Sequence, residues 1–135
     1  MPSSKQIHAL IIEDDQTSIN VLKSLLQQLA IQISVITIDF GHDFDPGSLA
    51  MIDRPDVVFL DLEMPGTNGY RVLEHLRSDP QFEGVPVVAY TTHTSHLNRA
   101  REAGFHSFLG KPLDAAHFKE HLDAILNNIP VWEVP

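Results

Sequence analysis

Apolar residues along this chain follow two kinds of spacing that alternate from one end to the other. Short runs rich in β-branched residues predict strands, whereas apolar positions three and four apart predict helices. The strands are predicted at residues 7–12, 33–38, 56–60, 85–90 and 105–109. The helices are predicted within residues 19–29, 48–52, 69–78, 95–103 and 114–127. Because strand and helix alternate with short connections, we expect a doubly wound α/β fold, in which five parallel strands carry helices on both faces.

The third predicted strand is an unbroken apolar run that ends in one carboxylate, Asp61. Such a run is typical of a strand buried on both faces, at the centre of a parallel sheet. Asp61 then lies at the carboxyl end of that strand, where open α/β sheets bind their ligands. A carboxylate in this position costs free energy unless another group pairs with it.

Length, charge and cysteine content restrict the possible functions. With 135 residues the chain has room for one domain, divided by pattern into an N-terminus at residues 1–6, a folded domain at 7–128 and a short tail at 129–135. The net charge of −9 argues against binding to nucleic acid or to an anionic membrane. There is no cysteine for a disulfide or a metal site. No apolar run is long enough for a signal peptide or a membrane span, and we expect a cytoplasmic protein with a flexible N-terminus.

Polar side chains gather where alternate predicted strands end. They are Glu13, Asp14, Asp61, Thr91, Thr92 and Lys111. Three carboxylates brought together would raise one another's pKa values, and a hard cation removes this conflict. Mg²⁺ suits a site with few carboxylates and several waters.

The remaining groups at the strand ends have the properties needed to hold a phosphoryl group. A lysine supplies a positive charge and a threonine supplies a hydrogen bond to phosphoryl oxygens. A carboxylate is able to act as the nucleophile on phosphorus. Together these groups predict an aspartate that accepts a phosphoryl group with the assistance of Mg²⁺.

Four motifs in this order resemble the receiver domain of two-component response regulators, of the stand-alone type. They are the acidic pair after the first strand, the phosphoacceptor segment, the switch hydroxyl segment and the lysine loop. In this chain they read Ile-Ile-Glu-Asp at 11–14, Phe-Leu-Asp-Leu-Glu-Met-Pro-Gly at 59–66, Ala-Tyr-Thr-Thr at 89–92 and Gly-Lys-Pro-Leu at 110–113. The resemblance covers about residues 7–128 and implies a flavodoxin-like receiver fold.

The resemblance implies a metal site built from four of these residues. Asp61 would be the phosphoacceptor, and Asp14 and Asp61 would ligate Mg²⁺ through their carboxylates. Glu13 would act on the metal through water, and Glu63 would offer its backbone carbonyl.

The same resemblance implies roles on the other side of the phosphoryl group. Thr91 would donate a hydrogen bond to it and Lys111 would pair with it. Phe108 stands at the position of the switch aromatic residue. The Lys111–Pro112 peptide is expected to be cis.

Two residues depart from the common pattern of the family. Thr92 follows the switch hydroxyl where the family often has Ala, and its bulk would hinder the water that hydrolyses an acyl phosphate. The side chain of Glu63 could point at the same water. We expect both residues to alter the rate of autodephosphorylation without abolishing phosphorylation.

Each of these residues also has a simpler interpretation. Asp14 could be a helix cap, Thr91 a strand-end hydroxyl and Lys111 an exposed loop lysine. Phe108 could be an ordinary core residue rather than a moving switch.

Histidine and tryptophan residues add two further open questions. His93 and His96 lie three apart, and His117 and His121 lie four apart. The second pair could bind a transition metal on one helix face, although no third ligand is evident and solvated histidines are common on an acidic surface. Trp132, in the short tail, could pack on the domain or contact a partner.

The predicted function is a phosphorylation-dependent signalling switch rather than an enzyme. It would receive the phosphoryl group from a histidine kinase or a histidine phosphotransfer protein. Output would come from a protein partner bound at the fourth helix, fifth strand and fifth helix, at residues 95–103, 105–109 and 114–127. One alternative is an aspartate-nucleophile phosphatase of the haloacid dehalogenase type, which would need an Asp where this chain has Glu63. Another is a receiver-like module that is never phosphorylated.

Overall fold

The protein is an α/β sandwich built on one parallel sheet, and its computed structural model describes residues 6–38, 43–64 and 66–133. The six strands of the sheet are β1 (His8–Glu13), β2 (Gln32–Thr37), β3 (Val57–Leu60), β6 (Val87–Thr91), β7 (Ser107–Gly110) and β8 (Trp132–Glu133). Two further short strands, β4 (Glu63–Met64) and β5 (Thr67–Asn68), form an antiparallel hairpin after β3. Within the sheet the strands lie in the order β2-β1-β3-β6-β7-β8.

Four α-helices and three 3₁₀ turns connect the strands in the described part of the chain. The helices are α1 (Gln16–Gln28), α2 (Gly69–Ser78), α3 (Leu97–Ala103) and α4 (Phe118–Leu126). The 3₁₀ turns are Pro46–Met51, Pro80–Phe82 and Thr94–His96. The doubly wound parallel sheet expected from the sequence is therefore confirmed.

The sheet has a separate apolar core on each face because side chains alternate along every strand. On β1, Leu10 and Ile12 belong to one core, and Ala9 and Ile11 belong to the other. The first core is covered by α2 and α3, and the second by α1 and α4. All four of these β1 side chains are fully buried, as the continuous apolar run of a central strand requires.

Local sequence signals determine where several helices begin and end. The side chain of Asp15 accepts a hydrogen bond from the backbone N–H of Ser18 at 3.1 Å and caps α1. Gly104 ends α3 in the left-handed region with φ of 95°, which glycine adopts without strain.

Two predicted helices differ from the observed elements. The short helix at 48–52 is a 3₁₀ turn that begins at Pro46, where Asp45 caps it by accepting from Gly47 N–H. The last helix begins at Phe118 rather than at residue 114. At the predicted start of this helix, the Asp114 side chain accepts a hydrogen bond from the backbone N–H of Ala116 at 3.0 Å. This local bond favours a turn over a helix.

The sheet has six parallel strands where the sequence predicted five. The additional strand, β8, lies in the segment 129–135 that was expected to be a tail, and it pairs with β7. The pattern did not reveal β8 because only two of its residues pair, too few to show alternation. β8 forms because β7 offers an open edge, and the sequence around β8 gives no sign of that edge.

Some of the predicted features fall outside the described residues. These are residues 1–5 of the predicted flexible N-terminus, Pro65 of the motif at residues 59–66 and residues 134–135 of the predicted tail, and residues 39–42 are also outside the described ranges. Across the described ranges, none of the helices combines the length and apolar character needed to cross a membrane.

Candidate functional site

The candidate site lies where the carboxyl ends of the central strands meet. Asp61 directly follows β3, and its backbone N–H donates to the carbonyl of Ile12 on β1 at 3.1 Å. Lys111 directly follows β7, and its backbone N–H donates to the carbonyl of Thr91 on β6 at 2.8 Å. These two bonds bring four neighbouring strand ends to one edge of the sheet, at the point where the strand order reverses.

Three carboxylates converge at this edge. Each of Glu13, Asp14 and Asp61 offers an oxygen that lies within 4.8 Å of the other two. Glu13 is fully buried and Asp61 is 5% exposed, whereas Asp14 is partly exposed. Within the described ranges, no other group of three histidines or acids converges in this way.

Burial makes these carboxylates unusually weak acids. The pKa of Glu13 is raised to about 7, mainly by burial and in part by the neighbouring Asp61, while Lys111 opposes the shift. Burial likewise raises the pKa of Asp61. The pKa of Asp14 is raised by burial and by Glu13. Lys111 alone does not offset the clustered negative charge, so these three residues suit a hard divalent cation with oxygen ligands.

Lys111 forms an ion pair with the buried acids. Its Nζ lies 2.8 Å from Glu13 Oε2 and 3.8 Å from Asp61 Oδ2. The same Nζ donates to Ser18 Oγ at 3.0 Å and lies 4.3 Å from the centre of the Tyr90 ring. The interpretation of Lys111 as an exposed loop lysine is wrong, because only 12% of its side chain is exposed.

Ser18 and Tyr90 are site residues that the sequence did not reveal. They also contact each other, since the Tyr90 hydroxyl donates to the backbone carbonyl of Ser18 at 3.3 Å. Ser18 belongs to the first turn of α1, where serine is common, and Tyr90 belongs to a buried apolar run. Neither setting carries a signal of a polar site.

Thr91 and Thr92 have different environments although they are adjacent. Thr91 is 1% exposed, and its Oγ1 accepts a hydrogen bond from the backbone N–H of His93 at 3.1 Å. Thr92 is exposed on the loop after β6. The structure therefore brings Thr91 to the buried strand ends and leaves Thr92 at their entrance.

Glu63 contacts the site through its backbone and a histidine pair through its side chain. Its backbone N–H donates to Asp61 Oδ1 at 3.1 Å. Its two carboxylate oxygens lie 2.9 Å from His93 Nε2 and 2.9 Å from His96 Nε2. The hydroxyl of Tyr70 in turn hydrogen-bonds His96 Nδ1 at 3.0 Å. The His93–His96 spacing was visible in the sequence, but its acidic partner, thirty residues away, was not.

Phe108 lies in the core, in the middle of β7. It is fully buried and pairs in register with Ala89 on β6 and with Trp132 on β8. The Lys111–Pro112 peptide that follows β7 is cis, as predicted.

The second histidine pair lies outside the site. His117 Nδ1 lies 2.5 Å from Asp114 Oδ2, and His121 Nε2 lies 4.0 Å from Glu133 Oε2. The two rings are 6.2 Å apart between centroids. Each histidine thus has its own acidic neighbour.

Comparison with known proteins identifies the family. The family model described as "Response regulator receiver domain" matches residues 9–123. This chain belongs to that family. Receiver domains are phosphorylation-dependent signalling switches that bind Mg²⁺ at an acidic pocket. They interact with histidine kinases or phosphotransfer proteins and with downstream targets.

Relatives of this receiver domain include proteins of similar length. PilH of Pseudomonas aeruginosa is 28% identical over 119 residues, covering 87% of this chain and 95% of PilH. Chemotaxis protein CheY-3 of Vibrio cholerae is 29% identical over 132 residues, covering 93% of this chain and 96% of CheY-3.

A solved structure shares the fold of this receiver domain. The receiver domain of the sensor histidine kinase PA1611 from Pseudomonas aeruginosa superposes with a TM-score of 0.74 at 23% identity, over 91% of this chain and 99% of that one. That structure is described as having a magnesium ion coordinated in its active-site cleft.

Proposed function

We propose that this receiver domain switches state when Asp61 accepts a phosphoryl group from a phosphohistidine. The carboxylate of Asp61, with Lys111 Nζ at 3.8 Å and two further carboxylates within 4.8 Å, is the observation that supports this most directly. Asp61 is the one carboxylate of the three that directly follows the central strand β3.

The carboxylates would hold Mg²⁺ in the proposed reaction. Asp14 and Asp61 would bind it directly, Glu13 through water and Glu63 through its backbone carbonyl. A bound Mg²⁺ would neutralise the clustered charge and the oxygens of the phosphoryl group.

Transfer replaces one bond to phosphorus with another. A carboxylate oxygen of Asp61 forms the new O–P bond while the N–P bond to the imidazole of the donor breaks. The imidazole leaves with the bonding electrons and takes up a proton. Lys111 would exchange part of its pairing with Glu13 for the new phosphoryl oxygens, since its Nζ already lies between Glu13 and Asp61.

Thr91 and Phe108 would carry the change to the surface. The Thr91 hydroxyl would turn from its bond with His93 N–H and donate to the phosphoryl group. The side chain of Phe108 would then move into the space that the Thr91 side chain has left. The surface formed by α3, β7 and α4 would change and bind a downstream protein.

Dephosphorylation would depend on the groups at the entrance of the site. Thr92 stands on the loop directly after Thr91, and Glu63 follows Asp61 by two residues. The carboxylate of Glu63 contacts His93 and His96, so those histidines would influence whether it reaches a hydrolytic water. We expect the phosphoryl group to be lost slowly, without turnover of other substrates.

The direct test is incubation with acetyl phosphate or phosphoramidate and Mg²⁺, followed by intact mass measurement. We expect one phosphoryl adduct in the wild-type protein and none in Asp61→Asn. Asp53→Asn, at an exposed aspartate remote from the strand ends, is the matched control and should be phosphorylated normally.

The alternatives give different results in the same experiment. Turnover of many phosphomonoesters without a lasting adduct would indicate the phosphatase. Neither adduct nor turnover would indicate a module that is never phosphorylated. Phosphoryl transfer from candidate kinases, assayed in the same way, would identify the cognate donor.

A further inference from the structure

The segment 131–133 lies along the outer edge of β7 and completes the sheet. The backbone N–H of Phe108 donates to the carbonyl of Val131 at 2.8 Å, and Val131 N–H donates to Ser107 Oγ at 2.9 Å. Trp132 then pairs with Phe108 in register. Without this segment, the edge of β7 would present unpaired backbone groups, as open sheet edges do.

Side chains from the helices on both sides of β7 hold the segment. The guanidinium of Arg101, on α3, lies 4.7 Å from the centre of the Trp132 ring. His121, on α4, faces Glu133 at 4.0 Å between Nε2 and Oε2. Trp132 also packs against the core that contains Phe108. The segment therefore occupies the surface that the proposed function assigns to a downstream partner.

The attachment of this segment is weak compared with that of the other strands in the sheet. Among the described residues, two residue pairs join β8 to β7, whereas six join β1 to β2. Trp132 is partly exposed and Glu133 is exposed, so their contacts with Arg101 and His121 are open to water. The free energy that holds so short a strand is small enough for a local change in the protein to release it.

The lysine of the site directly follows β7, the strand to which this segment is bound. β7 ends at Gly110, and Lys111 follows it directly. The Nζ of Lys111 forms an ion pair with Glu13, and its backbone N–H donates a hydrogen bond to the carbonyl of Thr91. Thr91 itself is paired with Gly110 across β6 and β7. A movement of Lys111 and Thr91 toward a phosphoryl group on Asp61 would therefore act on β7 within three residues of Phe108, to which the segment is bound.

We propose that residues 131–133 close the edge of β7 in the unphosphorylated protein and leave it when Asp61 is phosphorylated, so that an extended strand of a partner protein takes their place. This inference rests on the proposed function of Asp61. Binding by strand addition takes its affinity from backbone hydrogen bonds and its specificity from alternate side chains. Since Arg101 faces an aromatic ring and His121 faces an acid, the partner segment carries an aromatic residue followed by an acidic one.

Trp132 is the only tryptophan of the chain, so its fluorescence reports on the segment alone. In the full-length protein, we expect acetyl phosphate with Mg²⁺ to raise the acrylamide quenching constant of Trp132 about twofold, as its partly buried ring becomes exposed. Hydrogen exchange at the amide of Phe108 should become faster in the same samples. Asp61→Asn should show neither change.

Intact mass separates the possible failures of this experiment. A complete phosphoryl adduct with unchanged quenching and unchanged exchange at Phe108 overturns the release of the segment and leaves the proposed function intact. The absence of an adduct overturns both the proposed function and the release.

A second experiment tests the docking edge without phosphorylation. Full-length Trp132→Ala has no tryptophan, so a synthetic peptide Ile-Pro-Val-Trp-Glu-Val-Pro, the sequence of residues 129–135, carries the only one in the mixture. We expect a saturable blue shift of the peptide emission on titration with this protein. The absence of a saturable shift overturns the docking of an extended strand at this edge.

Two arginines of α3 provide a matched pair for the peptide titration. Adding Arg101→Gln to Trp132→Ala should weaken peptide binding about threefold, the size of an exposed cation–π contact. Adding Arg99→Gln instead should have no effect, because Arg99 lies over the Tyr70 ring, at 4.2 Å from its centre. Equal affinities in the two double variants would contradict the assigned position of the peptide.

Discussion

At the scale of single residues, neighbouring positions in this site have opposite environments. Thr91 is buried at a strand end and Thr92 is exposed, and Asp61 is buried whereas Glu63 reaches out to two histidines. This difference follows from where each residue lies in the chain, because Thr91 ends β6 and Thr92 lies on the loop after it, whereas Asp61 directly follows β3 and Glu63 begins the β4–β5 hairpin. It divides the roles that we propose, with the phosphoryl group handled by the buried residues and its lifetime set by the exposed ones.

Replacement of Thr92 by Ala should shorten the lifetime of the phosphoryl group on Asp61. The smaller side chain opens the entrance to water, and we expect about a threefold faster loss, which corresponds to less than about 1 kcal/mol in the barrier. The measurement is the decay of the phosphoryl adduct by intact mass after removal of acetyl phosphate. Thr94→Ala, at the exposed threonine that begins the next 3₁₀ turn, is the control. Equal half-lives in wild type and Thr92→Ala would contradict the role of Thr92.

At the scale of elements, the site depends on the close approach of α2 to the end of β3. A Cβ atom at Gly69, the first residue of α2, would lie 2.8 Å from the backbone oxygen of Asp61 and 2.8 Å from the Cα of Leu62. These are backbone atoms, so they have little freedom to move away. The glycine therefore allows the helix to pack directly against the segment that holds Asp61.

We expect Gly69→Ala to destabilise the protein by about 1–2 kcal/mol, because overpacking against backbone outweighs the better helix propensity of alanine. Urea denaturation measures this difference. Gly47→Ala is the control, since a Cβ there would meet only the side chain of Asp45, at 3.2 Å, and the free energy of unfolding should change by less than about 0.5 kcal/mol. A Gly69→Ala protein as stable as the wild type would show that α2 is able to shift at no cost.

At the scale of the whole molecule, the buried acids connect stability to pH. The pKa of Glu13 rises from its ordinary value of 4.5 to about 7 on folding, and those of Asp14 and Asp61 rise in the same direction. Between pH 4.5 and about 7, the carboxyl group of Glu13 is ionised in the unfolded chain but protonated in the folded protein. Raising the pH through this window therefore favours the unfolded state. Asp15 and Asp114 have lowered pKa values, but both are at the surface, where solvent screens their contribution.

In the presence of a chelator, we expect the free energy of unfolding to fall as the pH rises from 5 to 8, by up to about 3 kcal/mol for Glu13. Urea denaturation at several pH values measures the effect. Glu13→Gln removes the contribution of Glu13 and should make the fall in the free energy of unfolding smaller.

Addition of Mg²⁺ at pH 8 should restore stability, because the ion binds the ionised carboxylates of the folded protein. Stability that stays constant or rises from pH 5 to 8 without metal would contradict the buried, weakly acidic state of Glu13.

The sequence alone predicted the doubly wound architecture and five of the residues that meet at the edge of its sheet. Apolar periodicity predicted the strands and helices of the doubly wound sheet, because burial on one or both faces imposes these patterns locally. The positions of Glu13, Asp14, Asp61, Thr91 and Lys111 followed from the strand ends, since parallel strands bring their carboxyl ends to one edge.

Tertiary structure alone decided which distant groups meet. Ser18 and Tyr90 reach Lys111, and His93 and His96 reach Glu63, through contacts between segments that carry no local signal of each other. The sixth strand likewise forms because β7 offers an open edge, and its two paired residues are too few to show a period of their own. A periodic pattern records whether a residue is buried, whereas the identity of its neighbour depends on how separate elements pack.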